Sequence, residues 1–391
     1  MKSEPLRILR MIARLNIGGP AIHTILLTEK LNNRQFESWL VCGKESENEG
    51  NMRYLISNED FPLIRMNELG RDISLFHDIV ALTKTIFLIL KKKPHIVHTH
   101  TAKAGFIGRT AAFIVNSIFR KKIKIFHTFH GHVFSGYFSP MKTKLFLMIE
   151  RFLGKKTHGI ITITPKQQKE ILNYGIGRKE NHFMIPLGLN LERFYRNPRK
   201  TGNLRRELGF AEDDIVIGSV TRLVPIKNMA LFIEIAELFM KEREDVKFVI
   251  AGDGEEREML ETMILQKNLT RKVMILGFVK DLEDVYSDLD LFLLTSLNEG
   301  SPVALIEAVT NGVPSISSDV GGVSDVLSNI KISVLCESGN KQDFYRKIKN
   351  YIENREFYEK TFSEERENMF NRYGINRLVK DLSALYQDIP R

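Results

Sequence analysis

Short runs of branched apolar residues alternate along this chain with longer runs whose apolar positions recur every three or four residues. The first pattern predicts buried strands and the second amphipathic helices. In the first half, strands are expected at Leu6–Ala13, Ser38–Cys42, Leu63–Met66, Ile96–His98, Ile123–His127, Ile160–Thr164 and Phe183–Ile185. Helices are expected at Ala21–Leu31, Ser74–Lys92, Ala104–Phe119, Met141–Leu153 and Pro165–Tyr174. The second half repeats the alternation. Its strands are expected at Ile215–Val220, Lys247–Ala251, Val273–Leu276, Leu291–Leu294, Ser315–Ser317 and Ile332–Leu335. Its helices are expected at Met229–Lys241, Glu255–Gln266, Leu282–Tyr286, Pro302–Thr310 and Gln342–Asn354. Such alternation predicts an α/β fold of parallel sheets with crossover helices, made twice. The segment LNLERFYRNPRKTG is polar and basic and has no clear period. It divides the chain into a first domain (1–189), a linker (190–202), a second domain (203–372) and a C-terminal helix (373–391).

Open parallel sheets bind ligands beyond the C-terminal ends of their strands. The residues just after each expected strand are therefore the ones to read for chemistry. After the first strand, RLNIGGP leads into a helix. Gly18 and Gly19 permit close backbone approach there, and the helix start offers free N–H groups to a phosphate or a sugar hydroxyl. This is not the G-x-G-x-x-G fingerprint of nicotinamide cofactor sites. HTHTAKAG brings His98, His100 and Lys103 to a strand end. HTFHGH brings His127, His130 and His132 to the next. Zinc is one reading of these histidines. A polar wall for a substrate is the other, with His98 and His127 structural and His130 best placed to reach a ligand.

In the second half, SVTRLVPIKN carries Arg222 and Lys227 on one loop, the pair of cations a diphosphate asks for. AGDGE follows the next strand with Gly252 and Gly254. NEGSPVALIEAVTNG places Glu299, Gly300, Ser301, Pro302 and Val303 at a strand-to-helix turn, and Glu307 a turn or so into the helix. Two carboxylates flanking a helix start suit sugar and ribose hydroxyls. Asp288 and Asp290 form a D-x-D pair. That pair could hold a metal, but Asp290 runs directly into the apolar LFLLTS, as an ordinary strand entry does.

Charge adds an asymmetry. The net charge is +9, but residues 1–196 hold 31 Lys+Arg against 15 Asp+Glu, and the remainder 26 against 33. A basic half suits an anionic membrane surface or a pyrophosphate-bearing substrate. Aromatic and basic residues mix in HVFSGYFSPMKTKLFLMIERFLGKK, among them Phe134, Tyr137, Phe138, Lys142, Lys144, Phe146, Phe152, Lys155 and Lys156. No nucleic-acid-binding signature accompanies the basic charge. Two cysteines, Cys42 and Cys336, are too few for a disulfide framework. MKSEPLRILR lacks a signal-peptide core, so a cytoplasmic setting is expected.

Taken in order, TRLVPIKN, AGDGE, LGFV, NEGSPVALIEA and SSDVGG resemble glycosyltransferase family 4, as do GGPAIH, HTHTAKAGFIGR and HTFHGH in the first half. The first-half motifs are similar to those of members that build bacterial surface polysaccharides. The resemblance implies a GT-B fold, two Rossmann-like domains facing a central cleft, with the C-terminal helix crossing back to the first domain. It implies a retaining transfer from a nucleotide-diphosphate sugar, taken as a UDP-sugar, to a glycan or polyprenyl-linked saccharide. No cofactor and no metal is expected. By the same resemblance Gly18 and Gly19 lie at the donor diphosphate, which Arg222 and Lys227 hold. Glu299 meets the transferred sugar, and Gly300, Ser301, Pro302 and Val303 bind the donor. Glu307 binds the ribose, Phe278 and Val279 border the base, and Gly252 lines the donor site. His130 touches the sugar near the reacting carbon, and His100, Lys103 and His132 fall on the acceptor side. The family usually has Gly before the arginine where this chain has Thr221. A GT-B-like epimerase or phosphorylase would share the diphosphate site. A non-catalytic GT-B subunit would not need His130, Arg222, Lys227, Glu299 and Glu307 together.

Overall fold

The computed structural model describes residues 4–45, 50–56, 58–70, 74–131, 140–240, 242–328, 330–360 and 362–388. The chain forms two compact units. The first comprises Met1–Leu189 and Ile375–Arg391, and the second Asn190–Gly374.

The first unit is built on β1 (Leu6–Ile12), β2 (Phe36–Cys42), β3 (Leu63–Arg65), β4 (Ile96–His100), β5 (Lys124–Phe129), β6 (Gly159–Thr162) and β7 (His182–Met184). They lie in the order β3-β2-β1-β4-β5-β6-β7, and every pairing is parallel. The second unit has β8 (Ile215–Val220), β9 (Val246–Ala251), β10 (Val273–Gly277), β11 (Leu291–Leu294), β12 (Ser315–Ser318) and β13 (Ser333–Cys336). Their order is β10-β9-β8-β11-β12-β13, again all parallel. Helices cover both faces, so the strands are buried on each side and read as continuous apolar runs. In each sheet the winding reverses once, between β1 and β4 and between β8 and β11. At these switch points neighbouring strands send their following loops apart and leave a crevice at the sheet's C-terminal edge.

Every expected strand and helix is present, with ends shifted by no more than two residues and two strands, β8 and β11, unshifted. The shifts that matter extend β4 to His100 and β5 to Phe129. Five short or polar helices were not legible: Glu192–Tyr195, Asn203–Leu208, Val323–Val326, Arg355–Lys360 and Phe362–Tyr373. The last of these is mostly polar. It is anchored by individual contacts: the buried Glu365 accepts from the Lys331 N–H (3.0 Å), and Arg366 donates to the Tyr195 and Thr310 carbonyls.

Residues 190–202, expected as a free linker, are fastened to the second unit. Asp290 is fully buried and pairs with Lys200, with Arg205 at 2.6 Å and with Arg355 at 2.5 Å. It also accepts from the Val216 N–H at 2.7 Å. Asp288 accepts from the Gly202 N–H at 2.7 Å. Both members of the D-x-D pair are thus engaged by protein groups.

The C-terminal helix, Ile375–Gln387, belongs to the first unit. Its apolar positions follow helical spacing, and Leu378, Leu382, Leu385 and Tyr386 pack with Ile8, Leu27, Phe36, Phe126 and Ile161. Gly188 is required beneath it, since a Cβ there would sit 2.4 Å from Leu378 Cβ. Below Tyr386 lies Arg10, fully buried and donating to Ser38 Oγ at 3.0 Å. Removing buried methyl groups from such a cluster costs their transfer energy plus a cavity term. Leu382→Ala should therefore lower the stability of the first unit by about 2–4 kcal/mol. The chain's single tryptophan, Trp39, lies on β2 and reports on that unit alone. Denaturant titration followed by its fluorescence checks this, and a change under about 0.5 kcal/mol would show that the helix is not integral to the unit.

Candidate active site

In the second unit the loop after β8 carries Arg222 and ends in a single 3₁₀ turn, Pro225–Lys227. The AGDGE loop seats it backbone to backbone. A Cβ at Gly252 would fall 1.7 Å from the Thr221 carbonyl oxygen, and one at Gly254 would fall 2.4 Å from that of Leu223. The Leu223 N–H donates to the Asp253 carbonyl at 3.0 Å. Gly252, expected to line the donor site, approaches the Thr221 backbone closely. Thr221, the departure from the family pattern, is accommodated because this interlock involves only its backbone. Arg222 is left exposed above the interlocked loops.

Across the switch point, the loop after β11 brings Glu299 to Lys227. The ammonium lies 2.6 Å from Glu299 Oε1, which also accepts from Ser296 Oγ at 2.6 Å. The Glu299 backbone is held by the SSDVGG loop. Its carbonyl accepts from the Gly322 N–H at 3.0 Å, and any Cβ on Gly321 (φ 54°) would meet it at 1.8 Å. Pro302 caps the Val303–Thr310 helix, one residue later in the chain than a start at Pro302 would put it. Ser301 Oγ, just before that cap, is buried without a hydrogen-bond partner. Glu307 is buried inside the helix, and Tyr286 donates its hydroxyl to Oε2 at 3.0 Å. Burial pushes the Glu307 carboxyl up to about 7, against the opposing pull of Arg193 and of the Tyr286 hydroxyl. Phe278 stands exposed and Val279 half-buried just after β10.

In the first unit, Gly18 adopts φ 155°, ψ 164° before the Gly19–Lys30 helix, and a Cβ on it would meet only Pro20 Cδ at 3.8 Å. The helix has no acidic residue in its first turn to occupy its N–H groups. Extending β4 to His100 sets His98 and His100 on one face of the sheet, with ring centroids 4.3 Å apart. His98 is structural: its nitrogens meet the Tyr386 hydroxyl at 2.6 Å and Thr128 Oγ1 at 2.8 Å. His127 is likewise structural, at 2.8 Å from Thr99 Oγ1. His100 Nδ1 lies 2.9 Å from His130 Nε2, a bond that joins the ends of β4 and β5. Burial pushes His130 down to about 3 and His100 well below the ordinary imidazole range, so both rings are neutral at pH 7. Lys103, expected on the acceptor side, forms an ion pair with Asp78 at 2.8 Å. His132 lies outside the described residues.

Comparison with known proteins accounts for both units. Residues 17–193 match the family model described as Glycosyltransferase Family 4, and residues 200–372 that described as Glycosyl transferases group 1. The chain belongs to glycosyltransferase family 4. Among relatives of this glycosyltransferase is the Escherichia coli UDP-Gal:alpha-D-GlcNAc-diphosphoundecaprenol alpha-1,3-galactosyltransferase. It is 28% identical over 365 residues, covering 92% of this chain and 91% of the relative. The Staphylococcus aureus capsular polysaccharide biosynthesis glycosyltransferase CapM is 26% identical, over 81% and 83%. The fold is shared with Anabaena Alr3699/HepE in complex with UDP and glucose. There the TM-score is 0.81 at 19% identity, covering 98% and 100% of the two chains. The two doubly wound sheets are thus the two Rossmann-like domains of a GT-B glycosyltransferase.

Three contributors to the glycosyltransferase's candidate site were missed in the sequence. Ser296 and Tyr286 hold the two glutamates, and neither carries a spacing signal. His23 lies in the quoted GGPAIH, and its helical position, five residues past Gly18, turns it back toward the strand ends. The raised Glu307 carboxyl has a consequence for stability. Its proton is retained by the folded chain between pH 4.5 and about 7 while the unfolded chain loses it. Stability from this group is therefore complete below pH 4.5, falls as pH rises through that window, and levels off above about 7. Relative to Glu307→Gln, the wild type should lose about 2–3 kcal/mol between pH 5 and 7.5. Chemical denaturation followed by circular dichroism across that range tests the sign, and a gain in stability over the window would contradict it.

Proposed function

We propose that this glycosyltransferase transfers a hexose from a UDP-sugar to a glycan or polyprenyl-linked saccharide with retention of configuration and without a metal. The observation that carries the reading is the junction of Arg222 and Lys227 with Glu299 at the β8/β11 switch point. Two cations and a carboxylate on those loops suit a departing diphosphate and the hydroxyls of a sugar. As the bond from the anomeric carbon to the phosphate oxygen breaks, its electron pair passes to the diphosphate. Arg222 and Lys227 stabilise that growing charge, and the Gly19 N–H adds to it. Glu307 accepts from the ribose. His130 contacts the sugar as a neutral imidazole.

Glu299 is a poor nucleophile while Lys227 and Ser296 both hold Oε1. That favours attack by the acceptor oxygen on the face the diphosphate leaves, with the acceptor's proton passing to a departing phosphate oxygen. The UDP-Gal and diphosphoundecaprenol named for the E. coli relative, and the UDP and glucose of the Anabaena complex, support the choice of donor and acceptor class. The product's anomeric configuration, read by NMR, tests retention.

Arg222→Ala and Lys227→Ala should each cost about 2–4 kcal/mol of transition-state stabilisation, roughly 30- to 1000-fold in turnover. Lys227→Ala also leaves Glu299 without its cation, so it should weaken sugar-dependent binding as well as turnover. Glu299→Gln should impair transfer more than binding of the nucleoside diphosphate alone. Steady-state kinetics beside calorimetry separate these effects; wild-type kinetics in both cation variants would place the diphosphate elsewhere. Transfer should also survive excess EDTA, and a loss restored by Mn²⁺ or Mg²⁺ would overturn metal independence.

The acceptor class asks for a membrane surface, and the first unit offers one. Met141, Leu145, Met148 and Phe152 form an exposed apolar stripe on the Pro140–Gly154 helix, with Lys144, Lys155 and Lys156 exposed around it. Phe76, Ile79 and Phe87 expose a second stripe on the Leu75–Lys92 helix, which ends in Lys91 and Lys92. Phe146 faces inward against Phe129 and Ile160, and Phe134, Tyr137 and Phe138 lie outside the described residues. Apolar stripes bordered by lysines suit the interface of an anionic leaflet, here the cytoplasmic one. No helix among the described residues is long and apolar enough to cross a membrane. Sedimentation with anionic liposomes should fall at high salt, with neutral lipid, and in the double variant Leu145→Asp, Met148→Asp. Equal, negligible binding to both lipids at low salt would favour an acceptor free of lipid.

A further inference from the structure

His23, His100 and His130 converge in the first unit from a helix and two strand ends. Each offers a ring nitrogen, and the three nitrogens lie within 4.8 Å of one another. The His23 ring meets that of His130 edge-on at 4.9 Å and that of His100 at 5.6 Å. His23 is 2% exposed, yet neither of its nitrogens has a hydrogen-bond partner among the described residues. His100 Nε2 and His130 Nδ1 are buried and unpartnered as well. A buried imidazole with no partner for either nitrogen forfeits hydrogen bonds it would have made to water. A cation taking one lone pair from each of three neutral imidazoles would engage all three rings at once; of the three, only His23 has both nitrogens free.

We propose that this trio is a binding site for one divalent d-block cation, with zinc as its reference ligand, and that occupation of the site inhibits transfer. Neutral imidazole is a preferred ligand of zinc, copper and nickel, and calcium and magnesium prefer oxygen. Zinc–nitrogen bonds of about 2.0–2.1 Å place tetrahedral ligand nitrogens about 3.3 Å apart. His100 Nδ1 and His130 Nε2 share a hydrogen bond at 2.9 Å that coordination replaces, the donor ring moving its proton to its other nitrogen. The separations, all within 4.8 Å, adjust toward that spacing on binding. Three protein ligands leave a fourth position open. No carboxylate joins the group among the described residues, so the cation lacks the carboxylate backing of tighter zinc sites. Binding should be reversible and removed by EDTA. Inhibition follows because His130, bound to the cation, no longer presents its nitrogen to the sugar. That clause rests on the transferase reading; the binding itself does not.

The test uses the full-length protein freed of metal with EDTA and desalted. Titration with ZnCl₂ by calorimetry should show one equivalent bound, and CoCl₂ should give the visible absorption of a four-coordinate nitrogen site. His23→Gln and His100→Gln should each weaken zinc binding at least tenfold, and His77→Gln, at an exposed histidine outside the trio, should not. Circular dichroism confirms that each variant is folded. No binding at tens of micromolar zinc, or one equivalent bound equally by wild type and both trio variants, overturns the proposal and leaves a water or a substrate hydroxyl as the occupant. Binding without EDTA-reversible inhibition of transfer would keep the metal site and refute only the placement of His130 at the sugar.

Discussion

The structure depends on one constraint: a sheet of parallel strands wound in both directions from its middle must part its loops where the winding reverses. Each unit meets it once, between β1 and β4 and between β8 and β11. Strand-to-helix loops elsewhere pack over their neighbours, but at these two points they diverge and leave backbone and side chains uncovered. The candidate site residues gather there. Gly18, Gly19, His100 and, one strand over, His130 lie beside the first reversal, and Arg222, Lys227 and Glu299 beside the second.

Polar groups at such a crevice need support from behind, and the two units supply it differently. In the second unit loops interlock through backbone. Glycines at 252, 254 and 321 let carbonyls of neighbouring loops approach to where a Cβ would stand. Arg222 and Glu299 are thereby fixed by contacts that do not use their own side chains. In the first unit support comes from buried rings. His98, held between Tyr386 and Thr128, packs at a tilt against His100, which in turn bonds His130. The C-terminal helix, far off in sequence, therefore reaches the histidine wall through Tyr386. Arg10 lies beneath it without a carboxylate partner among the described residues, so the packing of that helix also governs how dry the guanidinium is kept.

The acidic D-x-D pair shows how context settles chemistry that composition leaves open. Two aspartates one residue apart are compatible with a metal beside a diphosphate. Asp290 is instead neutralised by Lys200, Arg205 and Arg355, and Asp288 accepts from the Gly202 backbone. Their role is to tie the start of the second unit to its central strand, and that is why a segment with no periodicity is not a free linker. The accepting sites of Asp290 are taken up by Lys200, Arg355, Arg205 and the Val216 N–H.

The sequence by itself determined the alternation of elements, the two sheets, and the loops in which the chemistry would lie. Strand and helix periods are local properties of side chains on a backbone, and Gly18, Arg222, Glu299 and Glu307 sit at boundaries those periods define. Tertiary structure alone decided which of these residues meet. That Lys227 pairs with Glu299, 72 residues away, depends on β11 lying beside β8, a choice of strand order that no local pattern encodes. The same holds for the histidines. Period-two alternation puts His98 and His100 on one face only if the strand runs on past His98, and His23 reaches them only because its helix packs over the first reversal. Burial, too, is a property of the assembled fold: it leaves His130 neutral and raises Glu307 toward pH 7 because surrounding atoms have replaced water, and those atoms come from every part of the chain.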